Sequence, residues 1–245
     1  MESVDWSRYA AVLFDLDGVI TPTAIVHMAA WSELFNGYLA EHHPEAAPYT
    51  DRDYFAHVDG KPRYDGVRDF LASRGIGLPE GTSDDPGTAL TVRGLGNRKN
   101  DAFNEVLARD GVQPYPGSVV LLDHLGEVGV PLGVVSSSAN ARAVLQAAGL
   151  LDRFAVIVDG NVAHELGLAG KPAPDTFLHA AEALGAVAAD SVVLEDAVSG
   201  VAAGAAGHFG LVVGVDRGAG QTALTNAGAD IVVSELGHLV PGGEQ

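Results

Sequence analysis

The chain has 245 residues, 47% of them hydrophobic, enough for one large domain or one domain carrying a sizeable insertion around a packed core. Its formal net charge of -18, from 32 acidic against 14 basic residues with no Lys/Arg cluster, would repel a nucleic-acid backbone, and the lack of cysteine excludes a disulfide framework and a thiolate zinc site. No basic segment runs into an apolar one at the start and no run reaches the length of a membrane span, so the expectation is a cytoplasmic protein that binds neither nucleic acid nor membrane, taken as a monomer by default.

Ala11 to Phe14 reads as a first strand. Pro22 breaks regularity, and a helical pattern then runs through Ile25, Met28, Leu34, Phe35, Tyr38 and Leu39 until Pro44 and Pro48 end it. Val58 to Arg63 is turn-like, and a second helical pattern follows through Val67, Phe70 and Leu71, stopped by Gly75-Ile76-Gly77. Residues 79–88 are all loop formers, and a further helix is expected over about Arg98 to Arg109. From Pro116 the character changes. Helices are expected near 117–128, 140–148, before Leu184 and over 198–206. Strands are expected at 131–135, 155–158, 191–194, 211–215 and 231–233. Apolar strands alternating with helices predict an α/β fold, a Rossmann-like parallel sheet with helices on both faces. The helical block breaks in after the first strand. It predicts an inserted all-helical cap over 21–111, with the core formed by 1–20 and 112–245.

Polar residues stand where these strands end, the place at which open α/β sheets bind ligands. Asp15 and Asp17 follow the first strand, and strand alternation would point them the same way. Two such acids disfavour double ionisation unless a cation or a shared proton lies between them. Gly18 then lets the backbone turn sharply. Ser136 follows the second sheet strand, Lys171 lies in Gly-Lys-Pro-Ala-Pro-Asp, and Glu195-Asp196 ends a later strand. Taken singly, each has a bland reading: a strand end, a helix start, an exposed lysine, an acid pair favoured by a helix dipole. Taken together and in order, they suit phosphoryl transfer. Carboxylates offer hard oxygen ligands to Mg²⁺, a lysine and a hydroxyl offset phosphoryl charge, and a carboxylate can itself be the nucleophile.

On these residues the chain resembles the haloacid dehalogenase-like phosphotransferases. Phe-Asp-Leu-Asp-Gly-Val at 14–19, Ser136 after Val134-Val135, Lys171 before Pro172, and Leu-Glu-Asp-Ala-Val-Ser-Gly at 194–200 resemble that superfamily's four motifs, in order. Within it the chain is similar to the β-phosphoglucomutases: Thr23, His27 and Trp31 match the spacing of their first cap helix, Gly60 and Arg63 their substrate-gripping cap loop, and Arg98-Lys99-Asn100-Asp101 a later cap helix. The resemblance implies Asp15 as the nucleophile and Asp17 as general acid/base. It implies Mg²⁺ held by Asp15, the Asp17 carbonyl, Glu195 and Asp196, and the transferring phosphoryl group held by Ser136 and Lys171. His27, Gly60, Lys61, Arg63, Lys99, Ser138 and Asn140 would contact a sugar phosphate. Two departures stand out: Pro22 where an aspartate is common, and Ala139 where the mutases carry a lysine. The implied reaction converts β-glucose 1-phosphate to glucose 6-phosphate through an aspartyl-phosphate and a 1,6-bisphosphate. The alternatives are a sugar-phosphate phosphatase of the same superfamily and a non-catalytic sugar-phosphate sensor.

Overall fold

A computed structural model describes residues 4–241. Two compact units are present: residues up to Pro22 together with those from Val112 onward, and Thr23–Gly111.

The first unit holds a six-stranded sheet of β1 (Ala11–Phe14), β2 (Leu132–Val135), β3 (Val156–Val158), β4 (Ser191–Glu195), β5 (Leu211–Val215) and β6 (Ile231–Val233). Its order is β3-β2-β1-β4-β5-β6, and every neighbouring pair is parallel. β1 is therefore central, with Phe14 opposite Val134 on one side and Leu194 on the other. In this doubly wound order the sense in which strands are added reverses between β1 and β4, and the crevice beyond their carboxyl ends is the expected ligand site. A parallel strand covered on both faces reads as an unbroken apolar run, and β1, β2, β4 and β5 are buried throughout. On one face Leu13, Val193 and Val212 pack with Phe177, Ala180, Val201 and Leu224, contributed by α8 (Asp175–Ala183), α9 (Val198–Ala206) and α10 (Gln221–Ala227).

The second unit is helical. It is built on α1 (Thr23–His42), α3 (Arg63–Ser73) and α4 (Val92–Asp110), with a short helical turn, α2 (Asp51–Asp53), running into a wider turn at Tyr54–Val58. Its core is aromatic: Phe35 meets Phe70 at 4.2 Å and Trp31 at 5.1 Å between ring centroids. The expected fold class, a parallel sheet covered by helices with an inserted helical unit, is the one found.

Three local expectations need correction. α4 starts at Val92, not near Arg98. Thr91 caps it by accepting from the Gly94 N–H at 2.9 Å, and at Gly94 and Gly96, inside its first turns, neighbours leave no room for a side chain. A Cβ on Gly96 would lie 2.6 Å from the Tyr64 ring. α7 (Gly160–Leu166) occupies a stretch to which the sequence assigns no element, started by Asp159, whose carboxylate accepts from the Asn161 and Val162 N–H groups. α10 was also missed. Each of these two helices has seven residues, too few turns to display a helical period. The remaining α-helices of the sheet unit are α5 (Pro116–Val128) and α6 (Ala141–Ala147).

Candidate active site

β1 ends at Phe14, and the chain turns at once. The Gly18 N–H donates to the Thr21 carbonyl at 2.7 Å with φ at +89°, a conformation that favours glycine. Strand alternation therefore stops short of Asp17. Asp15 faces Lys171, whereas the Asp17 Oδ2 accepts from the Ser136 hydroxyl at 3.4 Å.

Lys171 is the centre of the site. It comes from the loop between α7 and α8, and its bond to Pro172 is cis. Its ammonium donates to Asp15 Oδ1 at 2.5 Å, to Glu195 Oε1 at 2.5 Å and to the Val135 carbonyl at 3.1 Å. Lys171 is 3% exposed, Asp15 6% and Glu195 0%, so this is a buried, charge-assisted cluster. The second oxygen of Glu195 accepts from the Ala197 N–H at 2.8 Å. A Cβ on Gly200 would fall 1.7 Å from the first, so a glycine there is what admits the Glu195 carboxylate.

The charges do not balance. Burial, and then the Glu195 and Asp17 charges, push the Asp15 carboxyl well above its usual range, although Lys171 pulls it down. Burial alone would lower the Lys171 ammonium, but Asp15 and Glu195 outweigh it and hold it above its ordinary value. A place with more buried carboxylates than cations suits a divalent ion. Asp15, Glu195 and Asp196 each offer one oxygen, all within 4.8 Å of one another, and hard oxygen donors fit Mg²⁺. Both Glu195 oxygens accept hydrogen bonds within the protein, one from Lys171 and the other from the Ala197 N–H.

The Ser136–Asn140 loop lies beside this cluster. The Ser138 N–H donates to Ser136 Oγ at 3.1 Å, and the Asn140 N–H to Ser138 Oγ at 3.2 Å. Sequence reasoning passed over the residues that brace this loop from outside. The Gly160 N–H donates to the Ser138 carbonyl at 3.1 Å and the Asn161 side chain to the Ala139 carbonyl at 3.0 Å. The signal in the sequence is an Asp-Gly-Asn directly after β3, in which Asp159 caps the following helix.

In the helical unit His27 and Lys99 are brought together, while Gly60, Lys61 and Arg63 lie in and just after the turn before α3. Lys99 is buried and contacts His27 Nδ1, with the Trp31 and Phe103 rings 5.1 and 5.2 Å from its nitrogen. His27 stacks on Phe103 at 4.1 Å. Gly60 has φ at +69° in the turn before α3. Lys61 pairs with Asp69, and the Arg63 guanidinium lies 4.9 Å from the Tyr64 ring centre.

One consequence concerns Gly18. A Cβ there would lie 1.8 Å from Asp196 Oδ2, and the backbone conformation disfavours any side chain. Gly18→Ala is expected to displace the Asp196 carboxylate and weaken Mg²⁺ binding about tenfold or more, read by calorimetric titration.

A family model described as haloacid dehalogenase-like hydrolase matches residues 9–208. A β-phosphoglucomutase of Mycobacterium tuberculosis is 51% identical over 242 residues, covering 95% of this chain and 92% of that protein. A fructose-1-phosphate phosphatase of Escherichia coli is 32% identical over 204 residues, covering 82% of this chain and 95% of that protein. The crystal structure of a β-phosphoglucomutase from Clostridium difficile superposes with a TM-score of 0.76 at 24% identity, covering 95% of this chain and 93% of that one, a likeness of fold. Among the described residues no helix is long and apolar enough to cross a membrane. The chain therefore belongs to the haloacid dehalogenase-like hydrolase family, as an enzyme of phosphoryl transfer.

Proposed function

We propose that this enzyme is a Mg²⁺-dependent β-phosphoglucomutase, with a catalytic core formed by the sheet unit and a substrate-gripping cap formed by the helical unit. What carries the reading is the buried Asp15–Lys171–Glu195 cluster at the carboxyl end of the central strand, joined to the 51% identity with a mutase over nearly the whole chain. Asp15 is the nucleophile. One of its oxygens bonds to phosphorus as the bond from phosphorus to the sugar oxygen breaks, and Asp17 gives that oxygen a proton. In the reverse sense Asp17 takes a proton from the sugar hydroxyl that attacks phospho-Asp15. Transfer to β-glucose 1-phosphate gives the 1,6-bisphosphate, and return of its other phosphoryl group releases glucose 6-phosphate.

Lys171 and the Ser136 hydroxyl offset charge on the phosphoryl oxygens. Asp15, the Asp17 carbonyl, Asp196 and the Glu195 edge would hold Mg²⁺, which supplies further neutralisation of that charge. Ser138 and Asn140, with His27, Gly60, Lys61, Arg63 and Lys99, are assigned to the sugar phosphate. Arg63 takes the phosphate that is not being transferred, since a guanidinium can bind it through two parallel hydrogen bonds. Arg63→Ala is expected to raise the KM for β-glucose 1-phosphate about tenfold or more while Asp15 is still phosphorylated by a small phosphoryl donor. Equal loss of both would contradict the assignment.

A second reading, a sugar-phosphate phosphatase, is favoured by the 32% identity to a fructose-1-phosphate phosphatase. It uses the same four motifs but lets water attack phospho-Asp15. Phosphorus NMR separates the two. With Mg²⁺, β-glucose 1-phosphate and a trace of the 1,6-bisphosphate, glucose 6-phosphate is the expected product. Inorganic phosphate alone would establish the phosphatase, and binding without turnover a sensor.

A further inference from the structure

Arg217 lies just past β5, in Val-Asp-Arg-Gly, and none of the roles above uses it. Its Nε donates to the Gly18 carbonyl at 3.0 Å. One terminal nitrogen donates to the Ser234 carbonyl at 2.8 Å and to Glu235 Oε1 at 2.9 Å. The guanidinium carbon sits 3.9 Å from the centre of the Tyr115 ring. The other terminal nitrogen is buried with no hydrogen-bond partner. Three separate segments thus meet on one side chain: the turn after β1, the stretch leading into α5 and the loop after β6. Two of these are also tied directly, by the Tyr115 N–H to the Ile20 carbonyl at 2.9 Å and the Ser118 hydroxyl to the Val19 carbonyl at 2.6 Å.

The target of the Nε is what gives the contact meaning. Gly18 lies against the Asp196 carboxylate and follows Asp17 directly. The Asp17 carbonyl and the Gly18 N–H belong to one planar peptide, and that N–H is held by Thr21. The next peptide, carrying the Gly18 carbonyl, is held by Arg217. A glycine with both flanking peptides fastened loses the freedom that would otherwise let this turn wander. Merely fastening a loop would not require a guanidinium with one nitrogen left buried and without a hydrogen bond.

We propose that Arg217 is a positioning residue for the cation side of the site: by holding the Gly18 carbonyl it sets the Asp17 carbonyl and the Asp196 carboxylate in the geometry that binds Mg²⁺. The proposal rests on the phosphoryl-transfer reading above. Its test is calorimetric titration with Mg²⁺ alone, beside thermal unfolding without Mg²⁺. Arg217→Lys keeps the charge, but an ammonium cannot reach the Gly18 and Ser234 carbonyls and cover the Tyr115 ring at once. Its dissociation constant for Mg²⁺ is expected to rise about tenfold with little change in Tm, as for other groups that orient metal ligands.

Glu235→Gln removes the ion pair but leaves the Nε contact, and should stay within about twofold of the unaltered protein. Tyr115→Leu, which takes away the face beneath the guanidinium, is the second variant and should weaken Mg²⁺ about threefold. Unchanged Mg²⁺ affinity in Arg217→Lys, or in Tyr115→Leu if the first does not fold, overturns the proposal. So does an equal loss in Glu235→Gln. An unaltered protein that bound no Mg²⁺ would overturn the metal-dependent reading itself, a result distinct from a variant that binds as well as its parent.

Discussion

Lys171→Met is expected to lower the stability of the protein by about 3–5 kcal/mol and to abolish measurable turnover, because it leaves buried carboxylates facing one another without a counter-charge. Methionine fills much of the lysine's volume, so the loss is one of charge rather than of packing. In the unaltered protein a single ammonium donates to Asp15, Glu195 and the Val135 carbonyl, and it is 3% exposed. Without it Asp15, already raised by burial and by its acidic neighbours, goes higher still. The sign of the pH dependence follows. A carboxyl whose folded pKa exceeds its unfolded one adds stability below the ordinary carboxylate range and loses it as pH rises through the raised value. Denaturant titrations of Lys171→Met should therefore show stability recovering as the pH is lowered from 8 towards 5. A variant equally unstable across that range would mean that the lysine acts through packing.

Asp15→Asn is the second large effect, and it separates function from stability. Turnover is expected to fall by about 10⁴-fold or more, in line with the nucleophilic role proposed for Asp15. The 80 Da gained on phosphorylation, a figure of about that size for one phosphoryl group, should vanish from the intact mass. Stability should hold or rise, because the variant no longer buries a carboxylate that its surroundings disfavour. In the unaltered enzyme the same raised carboxyl predicts an acid limb in the pH–rate profile above the ordinary carboxylate range when Mg²⁺ is scarce. A cation beside Asp15 favours its charged form, so raising Mg²⁺ should move that limb to lower pH. A limb indifferent to Mg²⁺ would place the ion away from Asp15.

The close spacing of Glu195 and Gly200 shows how tightly the surroundings specify this cluster. The fourth motif carries a glycine five residues after its glutamate because the carboxylate lies where a side chain at 200 would begin. The glutamate is turned inward to Lys171 and to the Ala197 N–H, so it orients the lysine at least as much as it could serve a metal.

Much of this molecule was already determined by the order of its residues. Buried parallel strands are apolar from end to end, so β1, β2, β4 and β5 are legible as runs, and the polar residues that follow them mark the ligand-binding edge of the sheet. Asp15, Ser136, Lys171 and Glu195-Asp196 could therefore be singled out, and the helical block after β1 stood out by its change of period. What local order could not decide is which of these groups touch. Asp15 and Lys171 are 156 residues apart in the chain, and only the packing of α8 against β1 and β2 makes their 2.5 Å contact. The same holds for the first turns of α4, where Gly94 and Gly96 look like loop residues until their neighbours are placed. It holds too for Arg217, whose partners at 18, 115, 234 and 235 come together only in the folded chain. Periodicity records which residues avoid water; hydrogen bonds and ion pairs depend on distances in space, and those are set only when the sheet closes its register.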